Sequence, residues 1–190
     1  MDIVIATGNK GKLKEFKQML GDKFEHVYSV TQLGLDCDVE ETGKTFEENA
    51  LLKARHVKNQ TDLCVLADDS GLEVKALNGQ PGIYSARYAG EHASDKENRE
   101  KLFAALKGIS DREARFVSVV AFISHDEKVF FGKGETKGKI MTEEEGQNGF
   151  GYDVMFFSDE LKKSFGVASA EEKNSVSHRA KAIKNLLEKI

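Results

Sequence analysis

Leu63-Cys64-Val65-Leu66-Ala67-Asp68-Asp69-Ser70-Gly71-Leu72 is the stretch on which the reading of this chain turns. An apolar run ends abruptly in two acids, a hydroxyl and a glycine. A short apolar run closed by turn-forming residues predicts a buried strand ending at a sheet edge, with a tight turn at Ser70-Gly71. Loops at the ends of parallel strands are where α/β proteins bind ligands. Successive strand side chains point to opposite faces, so if the pleat holds through both acids only one can face a given site. The plainer alternative is a polar loop with a solvated acid pair.

Working outward, strands and helices alternate. Residues 2–6 form a β-rich run broken by Thr7-Gly8-Asn9-Lys10-Gly11-Lys12, and residues 12–20 place Leu13, Phe16 and Leu20 at helical spacing. A second strand is expected over 27–30, followed by an acidic loop (34–44) that contains Glu40-Glu41-Thr42-Gly43. Thr45-Phe46-Glu47-Glu48 has the capping-box pattern and opens a helix to about residue 59. In that helix Phe46, Ala50, Ala54 and Val57 form the apolar stripe, while Asn49, Lys53 and His56 lie on another side.

After the two acids, residues 72–76 read as a separate extended segment, and Asn78-Gly79-Gln80-Pro81-Gly82 as a turn. Ser94-Asp95-Lys96-Glu97 caps a helix to about residue 107. Strands follow over 114–124, 129–135 and 138–141, and a C-terminal helix spans 177–190 with Ala180, Ile183, Leu187 and Ile190 inward. This order predicts a three-layer α/β/α class, with an antiparallel hairpin near residues 114–135.

Composition sets outer limits. With 190 residues and 39% hydrophobic content, one globular domain over 1–190 is expected. The net charge of −4 gives no global field favouring nucleic acid or an anionic membrane. The two cysteines, Cys37 and Cys64, have no metal-ligand spacing, and Cys64 lies in the apolar run. The first apolar run is too short for a signal peptide, and no stretch approaches the ~20 apolar residues of a membrane span, so a cytoplasmic protein is expected.

Four groups of residues could carry chemistry. The Thr7–Lys12 loop leads into a helix and offers backbone N–H groups, a dipole end and two lysines to an anion; alternatively it is an ordinary strand-to-helix turn. It is not the common P-loop, because only two residues separate Gly8 from Gly11 and Leu13 follows Lys12. Glu40, Glu41, Asp68 and Asp69 form an acidic set of the kind Mg2+ uses when it takes one or two carboxylates plus substrate phosphates; alternatively they are surface acids. Phe150-Gly151-Tyr152-Asp153 could stack on a purine and offer a carboxylate, or be a core aromatic beside a turn. Lys173 through Arg179 is a basic segment at the entrance to the last helix, where Lys173 or Arg179 could meet a phosphate or a keto oxygen.

In chain order these pieces resemble the inosine triphosphate pyrophosphatase family. The matching stretches are Ala6 through Lys12, Glu40-Glu41-Thr42-Gly43 with Thr45 through Ala50, Lys53-Ala54-Arg55, Ala67 through Leu72, Pro81 through Tyr88, Gly149 through Asp153, and Glu172 through Arg179. The chain departs from the family pattern at Asn148, where glycine is common, and at Val154, where proline is common. The resemblance implies a long mixed sheet, two lobes around a substrate cleft, and a homodimer. It implies Mg2+-dependent cleavage between the α- and β-phosphates of ITP, dITP and XTP. By motif position, Thr7, Gly8, Asn9, Lys10, Gly11, Lys12 and Lys53 would hold the triphosphate, and Ser70 would touch the substrate. Asp69 would be general base and metal ligand, with Glu40 as the other metal carboxylate and Asp68 assisting. Phe150, Gly151, Tyr152, Asp153, Lys173, His178 and Arg179 would form the nucleotide pocket, with donors near His178 and Arg179 reading the 6-keto oxygen. A pyrophosphatase for modified pyrimidine nucleotides and a non-catalytic nucleotide sensor are the competing readings.

Overall fold

A computed structural model describes residues 1–190. One mixed sheet runs β2-β1-β3-β4-β5-β6-β7. Strand β1 (Asp2–Ile5) pairs in parallel with β2 (His26–Ser29) and β3 (Cys64–Val74). At the other end β5 (Val129–Ile140), β6 (Phe156–Ser158) and β7 (Lys163–Ser164) pair antiparallel. Strand β4 (Glu113–Ile123) returns into β5 through a tight hairpin in which the Ser124 N–H donates to the Lys128 carbonyl at 3.0 Å. The helices are α1 (Lys10–Leu20), α2 (Val30–Leu33), α3 (Phe46–Lys58), α4 (Asp95–Ala105), α5 (Ala170–Val176) and α6 (His178–Leu187). None is long and apolar enough to cross a membrane.

The chain divides into two units, one of residues 1–69, 118–134 and 179–190, the other of residues 70–117 and 135–178. The first unit shows how the strand pleat builds three layers. Ile3, Ile5, Cys64, Leu66, Val120 and Phe122 pack with Phe16 and Leu20 of α1 and Ala182, Ile183 and Leu186 of α6. Their neighbours Val4, Ala6, Val65, Ala67, Ala121 and Ile123 face the other way, onto Ala50, Ala54 and Val57 of α3. Period-2 alternation therefore assigns every second residue to one helical layer. In the second unit Leu72, Val74, Ala114, Phe116 and Ile140 pack with Leu102 and Leu106 of α4 and with Tyr152, Met155, Phe156 and Phe165.

The structure corrects several expectations. There is no turn at Ser70-Gly71, because β3 continues unbroken to Val74 and absorbs the segment read as separate. The glycines of β5 likewise do not split it into two strands. A Cβ at Gly132 would run into the Ala182 carbonyl and Leu186, and one at Gly138 into the Phe157 carbonyl and the Phe156 ring. Each glycine marks a close approach of another chain segment, not a break. Strand β2 stops at Ser29, whose side chain caps α2. Thr45 does cap α3, accepting from the Glu48 N–H at 3.1 Å, but the Glu48 carboxylate turns to the Lys44 N–H at 2.6 Å instead of closing the box. Helix α6 is shorter than expected and buries Ala182, Ile183 and Leu186, while Ile190 is exposed.

Candidate active site

Asp68 and Asp69 both lie inside β3, so the pleat sends them to opposite layers. Asp68 continues the Cys64–Leu66 face toward α1 and α6. Lys12 Nζ lies 3.1 Å from its Oδ1, and Arg179 Nη2 lies 3.4 Å from its Oδ2. Arg179 also pairs with Glu15, one turn along α1 from Lys12, and stacks over the Phe16 ring at 5.6 Å. Asp69 continues the Val65–Ala67 face toward α3. Its Oδ1 accepts from Lys53 Nζ at 2.9 Å and its Oδ2 from Asn49 Nδ2 at 3.3 Å.

The two acids consequently differ in electrostatics. Burial pushes Asp68 up, but Lys12, Arg179 and Lys53 together outweigh it and hold the carboxyl well below the usual range. For Asp69 burial wins over Lys53 and Lys12, with Glu41 adding to it, and the carboxyl sits above its ordinary value. Burial pulls Lys12 down against the attraction of Asp68. Burial also pulls on Lys53, yet Asp69, Asp68 and Glu41 jointly raise it.

The Thr7–Lys12 loop forms as a capped helix start. Asn9 Oδ1 accepts from the Lys12 N–H at 3.0 Å, and the Asn9 N–H donates to Thr7 Oγ1 at 3.2 Å. Gly8, Asn9 and Lys10 are exposed, and Gly11 is half-buried in the first turn, where amide groups have no carbonyl one turn back. On the acidic loop the carboxylate that meets Lys53 is Glu41, at 2.9 Å. Glu40 is exposed and lies outside this ion-paired network.

No three His, Cys, Asp or Glu side chains come together as a ready-made metal site, so a divalent cation here would rest on one or two carboxylates plus substrate phosphates. Glu15, Glu41, Asp68 and Asp69 against Lys12, Lys53 and Arg179 leave the network one negative charge in excess. A polyphosphate adds several more, and hard carboxylate oxygens are the donors Mg2+ takes alongside substrate phosphates.

The second unit holds the aromatic segment. The Phe150 N–H donates to Asp153 Oδ2 at 2.8 Å, and the same oxygen takes Lys173 Nζ at 2.6 Å. That ammonium also lies 4.8 Å over the Phe150 ring. Asp153, expected to offer its carboxylate to a base, therefore spends one oxygen fixing its own loop. The Tyr152 hydroxyl donates to the Ser85 carbonyl at 2.7 Å, and burial raises its pKa. His178 stacks on Phe116 with ring centres 4.8 Å apart. Ser70 is half-buried in β3 at the first position of this unit. Arg179 was expected beside His178 and Lys173, but its guanidinium belongs to the first unit's ionic network because α6 turns it toward Asp68 and Glu15.

Several participants escaped the sequence reading. Asn49 is fully buried, and its Oδ1 accepts from the Gly43 N–H at 2.8 Å, tying the acidic loop to Asp69. It precedes Lys53 by four residues, so helical spacing already put both on one face. Glu15 stands in the same relation to Lys12, three residues on. Asp95 and Arg99, four apart on α4, both reach Gly151.

The model of the Ham1 family matches residues 3–189. A protein of Staphylococcus epidermidis named dITP/XTP pyrophosphatase is 50% identical over 187 residues, covering 98% of this chain and 95% of that one. One of Haemophilus influenzae bearing the same name is 51% identical over 192 residues, covering 99% and 98%. Among solved structures, a HAM1 protein from Coxiella burnetii superposes with a TM-score of 0.86 at 40% identity, covering 98% of this chain and 96% of that one. The Staphylococcus aureus Ham1 protein gives 0.84 at 47%, covering 97% and 95%.

Proposed function

The chain belongs to the Ham1 family, and from that premise we propose that it hydrolyses the non-standard purine nucleotides ITP, dITP and XTP to monophosphate and pyrophosphate, keeping them out of nucleic acids. The name shared by the relatives supports the substrate class. The observation that carries the chemistry is Asp69, a buried carboxylate held above its ordinary pKa beside Lys53 and Asn49.

In this reading Asp69 takes the proton from the attacking water, a role suited to an acid whose pKa is tuned upward. Asp68 is too strongly pinned by cations to serve as base, and instead positions Lys12 and Arg179. The Thr7–Lys12 loop, Lys12 and Lys53 receive the phosphates, whose transfer depends on positioning and charge neutralisation. Asp69 and Glu40 would hold Mg2+, with Glu41 orienting Lys53. When bound, Mg2+ would neutralise phosphate oxygens and acidify the attacking water.

The Phe150–Asp153 segment, Lys173 and His178 recognise the nucleoside. Donors aimed at a 6-keto oxygen would be left unpaired by adenine, at about 1–3 kcal/mol for each buried group. We place the reaction in the cytoplasm, as a homodimer that equilibrium sedimentation would check.

The test is pyrophosphate release from ITP, dITP and XTP, with ATP, GTP and dUTP as controls, each with and without Mg2+. Release from the first three that depends on Mg2+ is expected. Preferential cleavage of dUTP would favour the pyrimidine reading. Nucleotide binding without release would leave a sensor.

A further inference from the structure

We infer that Asp95 and Arg99 are positioning residues that set nucleoside recognition by clamping Gly151 through both of its backbone polar groups. This rests on the reading of Phe150–Asp153 as the nucleoside-recognising segment. Asp95 Oδ2 accepts from the Gly151 N–H at 2.8 Å, and Arg99 Nη1 donates to the Gly151 carbonyl at 2.9 Å. The two residues are one turn apart on α4 and so share a face. The guanidinium is itself held, because Nε donates to Glu144 Oε1 at 2.7 Å.

What makes the clamp consequential is the residue it grips. Gly151 adopts φ +61, a left-handed conformation, and a Cβ there would meet nothing within 4 Å. The Cβ direction is open, so no side-chain contact on that side fixes the peptide, and glycine has the widest conformational range of any residue. On either side the segment is fixed by other means. Phe150 is held by Asp153 and Lys173, and Tyr152 by the Ser85 carbonyl. The α4 pair fixes the remaining hinge between the two aromatic rings. Both bonds are charge-assisted, the stronger class of hydrogen bond.

The pair is carried by a helix whose N-cap is a separate residue. Ser94 caps α4 in a closed box with Glu97, the Glu97 N–H donating to Ser94 Oγ at 3.3 Å and the Ser94 N–H to Glu97 Oε2 at 2.8 Å. Glu97→Ala therefore serves as a control that weakens α4 without touching Gly151.

The experiment compares Asp95→Ala, Asp95→Asn, Arg99→Ala and Glu97→Ala with the parent. It measures KM and kcat for ITP, equilibrium binding of IMP, inhibition by inorganic tripolyphosphate, and Tm. Loss of one charge-assisted bond predicts an increase of about tenfold in KM for ITP and in Kd for IMP in both alanine variants. Tripolyphosphate, which has no base, should inhibit each variant as it does the parent. Asp95→Asn keeps an acceptor oxygen and should recover most of the affinity. Glu97→Ala should lower Tm and leave KM unchanged.

The clamp is overturned if the alanine variants bind IMP like the parent, if tripolyphosphate inhibition weakens by the same factor, or if Glu97→Ala raises KM equally. A parent that binds IMP but releases no pyrophosphate from ITP would instead defeat the catalytic reading, with the IMP comparison still deciding the clamp. A parent that does not bind IMP would overturn both.

Discussion

Adjacent acids with identical side chains acquire opposite roles here because the strand carrying them does not turn. Asp68 faces Lys12 and Arg179, so its buried charge is compensated. Removing one partner of a buried ion pair typically costs about 3–5 kcal/mol because the other charge is stranded. Asp68→Asn should therefore lower Tm sharply at neutral pH. The lowered folded pKa of Asp68 also gives its contribution a direction in pH. The stabilisation is fully present above the unfolded value near 3.8 and is lost as pH falls through the lower folded value, so the variant should lack that acid limb in urea titrations. Asp69 has the reverse sign. Its raised folded pKa penalises the ionised form, and the penalty disappears as pH falls through that value. Asp69→Asn relieves that penalty but leaves Lys53 with Glu41 as its ion-pair partner, so its Tm should fall less than that of Asp68→Asn, while kcat for ITP drops by at least ~100-fold, the loss expected of a general base. Parental turnover in that variant would remove Asp69 from the chemistry. That the two acids face different layers was legible only on condition that the strand continued through both, since alternation is a property of a strand and not of a loop. Which layer held which cations was not legible, because Lys12, Lys53 and Arg179 come from segments far apart in sequence.

At the scale of elements, the helix starts were legible and some strand interiors were not. Thr45 and Ser94 both cap as read, because an N-cap is a local bond between residues three apart. Strand β3 read as closing in a turn at Ser70-Gly71 because acids and glycine are poor strand formers, while in the structure its two acids are paired with side chains on α1, α3 and α6. Strand β5 read as two pieces for a similar reason. Its glycines look like breakers in sequence and are contact points in space. Gly132 tests this, since α6 packs its backbone onto that position. Gly132→Ala forces α6 outward, and overpacking of this kind costs about 1–3 kcal/mol. Thermal unfolding should show the loss, and because α6 carries Arg179, activity should fall with it. An unchanged Tm would mean that α6 is not seated on β5 as described.

At the scale of the whole molecule, the unit that carries the Asp69 network is discontinuous in sequence. It is assembled from residues 1–69, 118–134 and 179–190, so its helical layers close only when the last segment joins the first. The motifs placed the chemistry at both ends of the chain, but their bare order could not say that Arg179 and Lys12 share one carboxylate. Three strands also pass from one unit into the other, β3 after Asp69, β4 after Val117 and β5 after Gly134. The chain therefore crosses the boundary inside a strand three times. Opening either unit alone would end each of these strands midway, leaving extended backbone with unpaired donors and acceptors. Sub-global opening normally follows boundaries where few backbone bonds are lost. The amides of Val65 and Val74 on β3, and of Val120 and Phe116 on β4, should therefore exchange through one common opening. Their exchange free energies should coincide in the native state and fall with the same slope in urea. A lower free energy and shallower slope for Val74 and Phe116 would show that the second unit unfolds by itself, and that three shared strands do not suffice to couple it to the first.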